Sequence, residues 1–184
     1  MPYPAPPVAD ERGAFVTYLA QHQLYVRASL TGLPEDLAGR RPLASGLSLG
    51  TLVKHLTVVQ DNWLAAVLAA PVLATRWTDD DAAASWTAAL RWGADDTVAD
   101  ALAAFDDSSR AVLDAARTID PDLGVPVHRA PWTPRDVPSW SVRWVWWHLA
   151  GELARHAGHA DLIREQLDGS LSHTLLALTE QEPA

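Results

Sequence analysis

The chain has 184 residues, 48% apolar and 20% charged, which suits one globular domain with a sizeable core and excludes the disordered and fibrous classes. Its net charge is -9, and its 14 basic residues are scattered singly apart from Arg40-Arg41, so no basic stripe exists to track a phosphate backbone and nucleic acid is not an expected partner. There are no cysteines, which removes disulfides, thiolate ligands and a cysteine nucleophile and leaves nitrogen and oxygen to hold any metal.

The leader Met1-Pro-Tyr-Pro-Ala-Pro-Pro7 has neither a basic n-region nor an apolar h-region. No run of roughly 18 apolar residues follows, so a soluble, cytoplasmic protein with no membrane partner is expected. Asp10 can cap a first helix whose apolar positions Phe15, Leu19, Leu24 and Val26 lead to Leu30, with Gly32 and Pro34 ending it. After a connector rich in Pro, Gly and Arg, Ser48 can cap a second helix from Leu49 to about Ala70, which carries Leu52, Leu56, Val59 and Trp63 at helical spacing and holds His55. Pro71 closes it. Trp77 to Gly93 reads as a short helix or ordered loop around the solvated run Asp79-Asp80-Asp81. Thr97 and Asp100 form a capping pattern for a third helix over about Val98 to Ile119, with Ser108-Ser109 on its surface.

Five prolines between Asp120 and Ser139 rule out regular helix there and disfavour a central strand, so this is a long, stiff surface connection. From Ser141 to about Leu167 there is no proline, and Gly169 terminates the fourth and firmest helix; a short last helix around Leu171 to Leu178 follows. No period-2 segments or tight hairpin signals separate the helices. The expected fold is all-α, a four-helix bundle with long irregular connections, forming one domain over 1–184 with its core at about 10–169 and flexible ends at 1–9 and 179–184.

The fourth helix carries His148, Glu152, His156 and His159 three or four residues apart, hence along one side. The flanking Val145, Leu149, Leu153, Leu162 and Ile163 are apolar, so parts of this row should reach the interior, where ionisable groups need partners or a metal. A Glu and a His four apart can place a carboxylate oxygen and an imidazole nitrogen on one ion, and His55, mid-helix among Leu52, Leu56 and Val59, is the best third ligand. Three protein ligands leave positions open, the mark of a catalytic site. Taken singly, His55 reads as a core histidine and the Glu152/His156 pair as a surface contact; together they make the site. Of the nine tryptophans, Trp63, Trp144 and Trp147 are expected nearest to it. His22, His128 and His173 lack acidic or histidine companions and read as structural or solvated.

The stretches Leu52-Val53-Lys54-His55-Leu56 with Trp63, and Trp147-His148-Leu149-Ala150-Gly151-Glu152-Leu153-Ala154-Arg155-His156-Ala157-Gly158-His159-Ala160-Asp161-Leu162-Ile163-Arg164-Glu165, resemble the DinB-like metal-binding superfamily. Within it they are similar to the metal-binding domain of mycothiol-dependent maleylpyruvate isomerase and related thiol transferases. The resemblance extends from about Glu11 to Gly169. It implies an up-down-down-up bundle holding zinc or nickel, with His55, Glu152 and His156 in the ligand positions and, as in that branch, Glu first of the pair. It also implies transfer of a low-molecular-weight thiol of the mycothiol type as co-substrate, and a homodimer. The additional C-terminal domain of the isomerase has no expected counterpart after Gly169, which sets isomerisation of maleylpyruvate aside.

The expected function is thus a divalent-metal-dependent small-molecule enzyme, a thiol S-transferase. The alternatives are a metal-dependent hydrolase and a non-catalytic, metal-stabilised stress-response binding module. His148 and His159 are candidates for support of the ligands or for proton transfer. Arg155 and Trp147 are candidates for contact with a small-molecule substrate; Arg155 or Arg164 can meet an anionic group of it, but pairing with a nearby carboxylate such as Asp161 or Glu165 is the first reading of either.

Overall fold

A computed structural model describes residues 5–75, 87–88, 91–126, 134 and 136–179. In chain order the elements are α1 (Glu11–Ala28), α2 (Glu35–Ala38), α3 (Leu49–Ala69), α4 (Val98–Thr118), β1 (Gly124–Pro126), β2 (Ser139–Ser141), α5 (Val142–Asp168) and α6 (Ser172–Thr179). The helix starts are set by local chemistry. The side chains of Asp10, Ser48, Thr97 and Ser141 accept the amides of Gly13, Thr51, Asp100 and Trp144, and Ser48 and Thr51 close a reciprocal capping box. Each such cap stabilises its helix by about 0.5–2 kcal/mol. Gly169 ends α5 at φ 76°, the left-handed conformation that glycine adopts without steric cost.

Long-range contacts give the helix directions. Arg143 at the start of α5 pairs with Glu11 at the start of α1, and Arg164 near the end of α5 donates to the Ser29 and Thr31 carbonyls just beyond α1, so these helices run parallel. Arg12 reaches the Ala116 and Ile119 carbonyls at the far end of α4, which makes α1 and α4 antiparallel. Lys54 with Asp96 and Gln60 with Ser109 align α3 parallel to α4, while His55 beside His156 and Trp63 beside His148 set α3 antiparallel to α5. The four long helices therefore go up, down, down and up. Phe15 and Leu19 of α1, Leu52 and Leu56 of α3, Phe105 and Val112 of α4, and Val145, Leu149, Leu153 and Ile163 of α5 fill the interior.

Several elements depart from expectation. α2 went unanticipated because four residues are too few to show a helical period. It nonetheless caps another helix, since the Glu35 carboxylate accepts the first amide of α4, from Val98, at 3.0 Å to each oxygen. The proline-rich connection contributes two three-residue strands, paired antiparallel with Val125 opposite Trp140. Among the described residues each strand has a single neighbour, and an edge position of this kind tolerates Pro126. This connection also holds the start of α5, since the Leu123 and Pro121 carbonyls accept the amides of Val142 and Arg143, two of the donors a helix N-terminus leaves unpaired.

Ser108 and Ser109 are not on the surface of α4. They are 5% and 7% exposed, Ser108 donating to Asp61 and Ser109 meeting Gln23 and Gln60 in a buried polar network. Leu162, expected beside the buried stripe, is 56% exposed because it falls one residue off that stripe. Arg164 pairs with neither Asp161 nor Glu165 but with Asp168, one turn on, while its other end satisfies the carbonyls after α1. Gly50 is required by packing: a Cβ there would lie 2.1 Å from the Trp92 ring, which seals the start of α3. Of the Trp77–Gly93 reading only residues 87–88 and 91–93 are described; Asp79-Asp80-Asp81 and His128 lie outside the described residues. Among the described residues, no helix is long and apolar enough to cross a membrane.

Candidate metal centre

α3 and α5 each carry a row of side chains at four-residue spacing, which on a helix places them nearly above one another. On α3 the row is His55, Val59, Trp63; on α5 it is His148, Glu152, His156, extended backwards through Trp144 to Trp140 in β2. Because the two helices are antiparallel, His55 meets His156 at one end and Trp63 meets His148 and Trp144 at the other.

At the first end the ring centroids of His55 and His156 are 5.0 Å apart at 70° to one another, and His156 Nε2 lies 3.5 Å from Glu152 Oε2. One ligand atom from each of His55, Glu152 and His156 falls within 4.8 Å of the others, close enough that a small closure would let them share one ion. All three side chains are half-buried. Burial, followed by the neighbouring His159 and Arg155, pushes His156 down to about 4. Burial, aided by His156 and partly offset by Glu152, also holds His55 below the ordinary imidazole value. Both rings are therefore neutral near pH 7, each with one unprotonated nitrogen. The His156–Glu152 approach is then not an ion pair but a carboxylate beside an uncharged imidazole, the donor set a divalent cation of intermediate softness takes.

The other two histidines of α5 occupy different surroundings. His159 Nδ1 sits 3.3 Å from His156 Nδ1, on the side of the ring away from Glu152. His148 stacks flat on Trp144, which stacks flat on Trp140, with centroid separations of 4.8 and 4.5 Å and interplanar angles of 8°, while Trp63 stands edge-on to all three. Burial lowers the His148 pKa, against a smaller opposing effect of Glu152.

The structure thus brings together His55, Glu152 and His156, with His159 against His156 and His148 one turn before Glu152. Arg155 is exposed beside His156. Trp147 turns toward α1, its ring edge-on to Phe15 at 5.3 Å. Trp63 and Trp144, expected near the site, pack on His148 at the other end of the row from the triad; Trp140 had not been singled out, although continuing the four-residue spacing back across the Ser141 cap would have found it. His22 lies half-buried between Tyr18 and Tyr25, and His173 is exposed.

The model of one protein family, Mycothiol-S-transferase, matches residues 14–169. No curated protein matches the chain, and no solved structure does.

Proposed function

The chain belongs to the Mycothiol-S-transferase family, within the DinB-like metal-binding superfamily, and is a transferase; we propose that it transfers a mycothiol-type thiol to a small electrophile at a divalent metal held by His55, Glu152 and His156. The observation that carries this reading is the convergence of two neutral imidazoles and a carboxylate within 4.8 Å in a chain of that family. Zinc or nickel suits two nitrogens and one oxygen. When bound there, the ion lowers the pKa of a thiol so that thiolate is available near neutral pH.

The rest falls to side chains. His148, kept neutral by burial and held flat against Trp144, accepts the thiol proton. Thiolate sulfur then bonds to the electrophilic carbon, and the leaving group departs with its electron pair. Arg155, exposed beside His156, meets an anionic part of the thiol or electrophile. We place the enzyme in the cytoplasm as a single bundle domain, paired as a homodimer through exposed apolar side chains such as Leu162, Leu171 and Leu178.

The test is turnover of an electrophile panel with mycothiol, by protein stripped of metal and then reloaded with zinc or nickel. Conversion that needs both thiol and metal, and a product carrying the thiol, is the expected outcome. Conversion without thiol, yielding the water adduct, overturns the transfer reading.

A further inference from the structure

We infer that His159 is a positioning residue that locks the tautomer of His156, and that the pair acts as a built-in determinant of metal affinity. This rests on the metal reading above. An imidazole has two nitrogens, and when neutral it carries a proton on one of them. In His156 the nitrogen facing the triad is Nε2, 3.5 Å from Glu152 Oε2. A ligand nitrogen must be bare, so the proton of His156 belongs on Nδ1.

That proton needs an acceptor. Among the described residues the partner of His156 Nδ1 is His159 Nδ1, at 3.3 Å, with the two rings edge-to-face at 67°. For the contact to be attractive, His159 Nδ1 must be the bare nitrogen and His159 must carry its own proton on Nε2. One hydrogen bond therefore fixes both tautomers. His159 is not a fourth ligand in this arrangement, because it lies against the nitrogen of His156 that points away from Glu152 and is absent from the group whose ligand atoms converge.

Spacing explains the choice of position. Three residues on from His156, the same face of α5 has advanced by most of a turn, which sets His159 beside the outer edge of the ring and leaves the inner edge to Glu152, four residues back. A hydrogen bond to the outer nitrogen orients a ligating imidazole and raises its basicity, and its loss typically costs 10–100-fold in metal affinity.

The test compares wild type with His159→Leu, which removes the acceptor, and His159→Asn, whose Oδ1 stands where Nδ1 stood. Zinc affinity of the full chain is read by competition with a chromophoric chelator, and the histidine tautomers of zinc-loaded wild type by nitrogen-15 NMR. Expected are a loss of about 10–100-fold for His159→Leu, affinity within roughly a few-fold of wild type for His159→Asn, and spectra showing Nδ1 protonated in His156 but bare in His159. Unchanged affinity in His159→Leu, equal losses in both variants, or a bare His156 Nδ1 overturns the role of His159 while leaving the metal site intact. Should His159→Leu fail to fold, the wild-type spectra decide. Failure of wild type to bind zinc or nickel at all overturns this inference and the metal reading together.

Discussion

Two polar clusters sit on different faces of α3, and they are built on opposite principles. Toward α1 and α4, Gln60 accepts from Gln23 at 2.7 Å and donates to Ser109 at 3.3 Å, while Gln23 also reaches the Ser109 carbonyl. Donor meets acceptor, and the network is closed. Toward α5, His55 meets Glu152 and His156, where two neutral imidazoles and a carboxylate bring three potential ligand atoms together. The first cluster satisfies its own hydrogen bonds and specifies the fold, whereas the second is the one we propose holds a cation.

Substitutions should separate the two. His55→Ala and Glu152→Ala are expected to lose the metal while remaining helical, and thiol transfer should fall by more than the roughly 10–100-fold that follows loss of a ligand's hydrogen-bond partner. Elemental analysis beside circular dichroism checks this; retention of metal by either variant would break the contrast. Gln60→Ala should do the reverse, lowering stability by about 1–3 kcal/mol through the orphaned Gln23 and Ser109 groups with metal content unchanged. Denaturant unfolding measures it.

Acid sharpens the comparison. In metal-free protein His55, His148 and His156 stay below the ordinary value of 6.5, His156 at about 4. As pH falls below 6.5 the unfolded chain takes up protons that the folded chain refuses, so stability declines through that window and the decline from His156 ends near 4. Thermal unfolding at about pH 7 and pH 4.5 should show the drop, with the Gln60→Ala offset the same at both because nothing in that network titrates. At the aromatic end of the row Trp144→Ala removes two flat stacks, each worth about 0.5–1.5 kcal/mol beyond area burial, and is expected to lower stability while leaving the metal in place.

Much of this was legible locally. The caps at Asp10, Ser48 and Thr97 each depend on one side chain reaching an amide three residues on and are where the sequence puts them, and Ser141, read as the start of the last long helix, caps it in the same way. Glu152 and His156 share a face by spacing alone. What was misread depended on distant partners. Ser108 and Ser109 look like surface residues until Asp61, Gln23 and Gln60 are brought against them, and Arg164 has acidic neighbours at several helical spacings, among which the carbonyls after α1 select Asp168 by fixing the direction of the side chain.

The sequence by itself determined four long helices, their ends, the absence of sulfur ligands, and a Glu and a His poised one turn apart, because periodicity, capping and spacing act within a few residues. Only the tertiary structure decided that α3 runs antiparallel to α5 at the register that sets His55 against His156 and Trp63 against His148. That register comes from core packing, from Arg143 and Arg164 fastening the two ends of α5, and from the Pro121 and Leu123 carbonyls that hold its first turn. These contacts join residues far apart in the chain, and no local signal carries them.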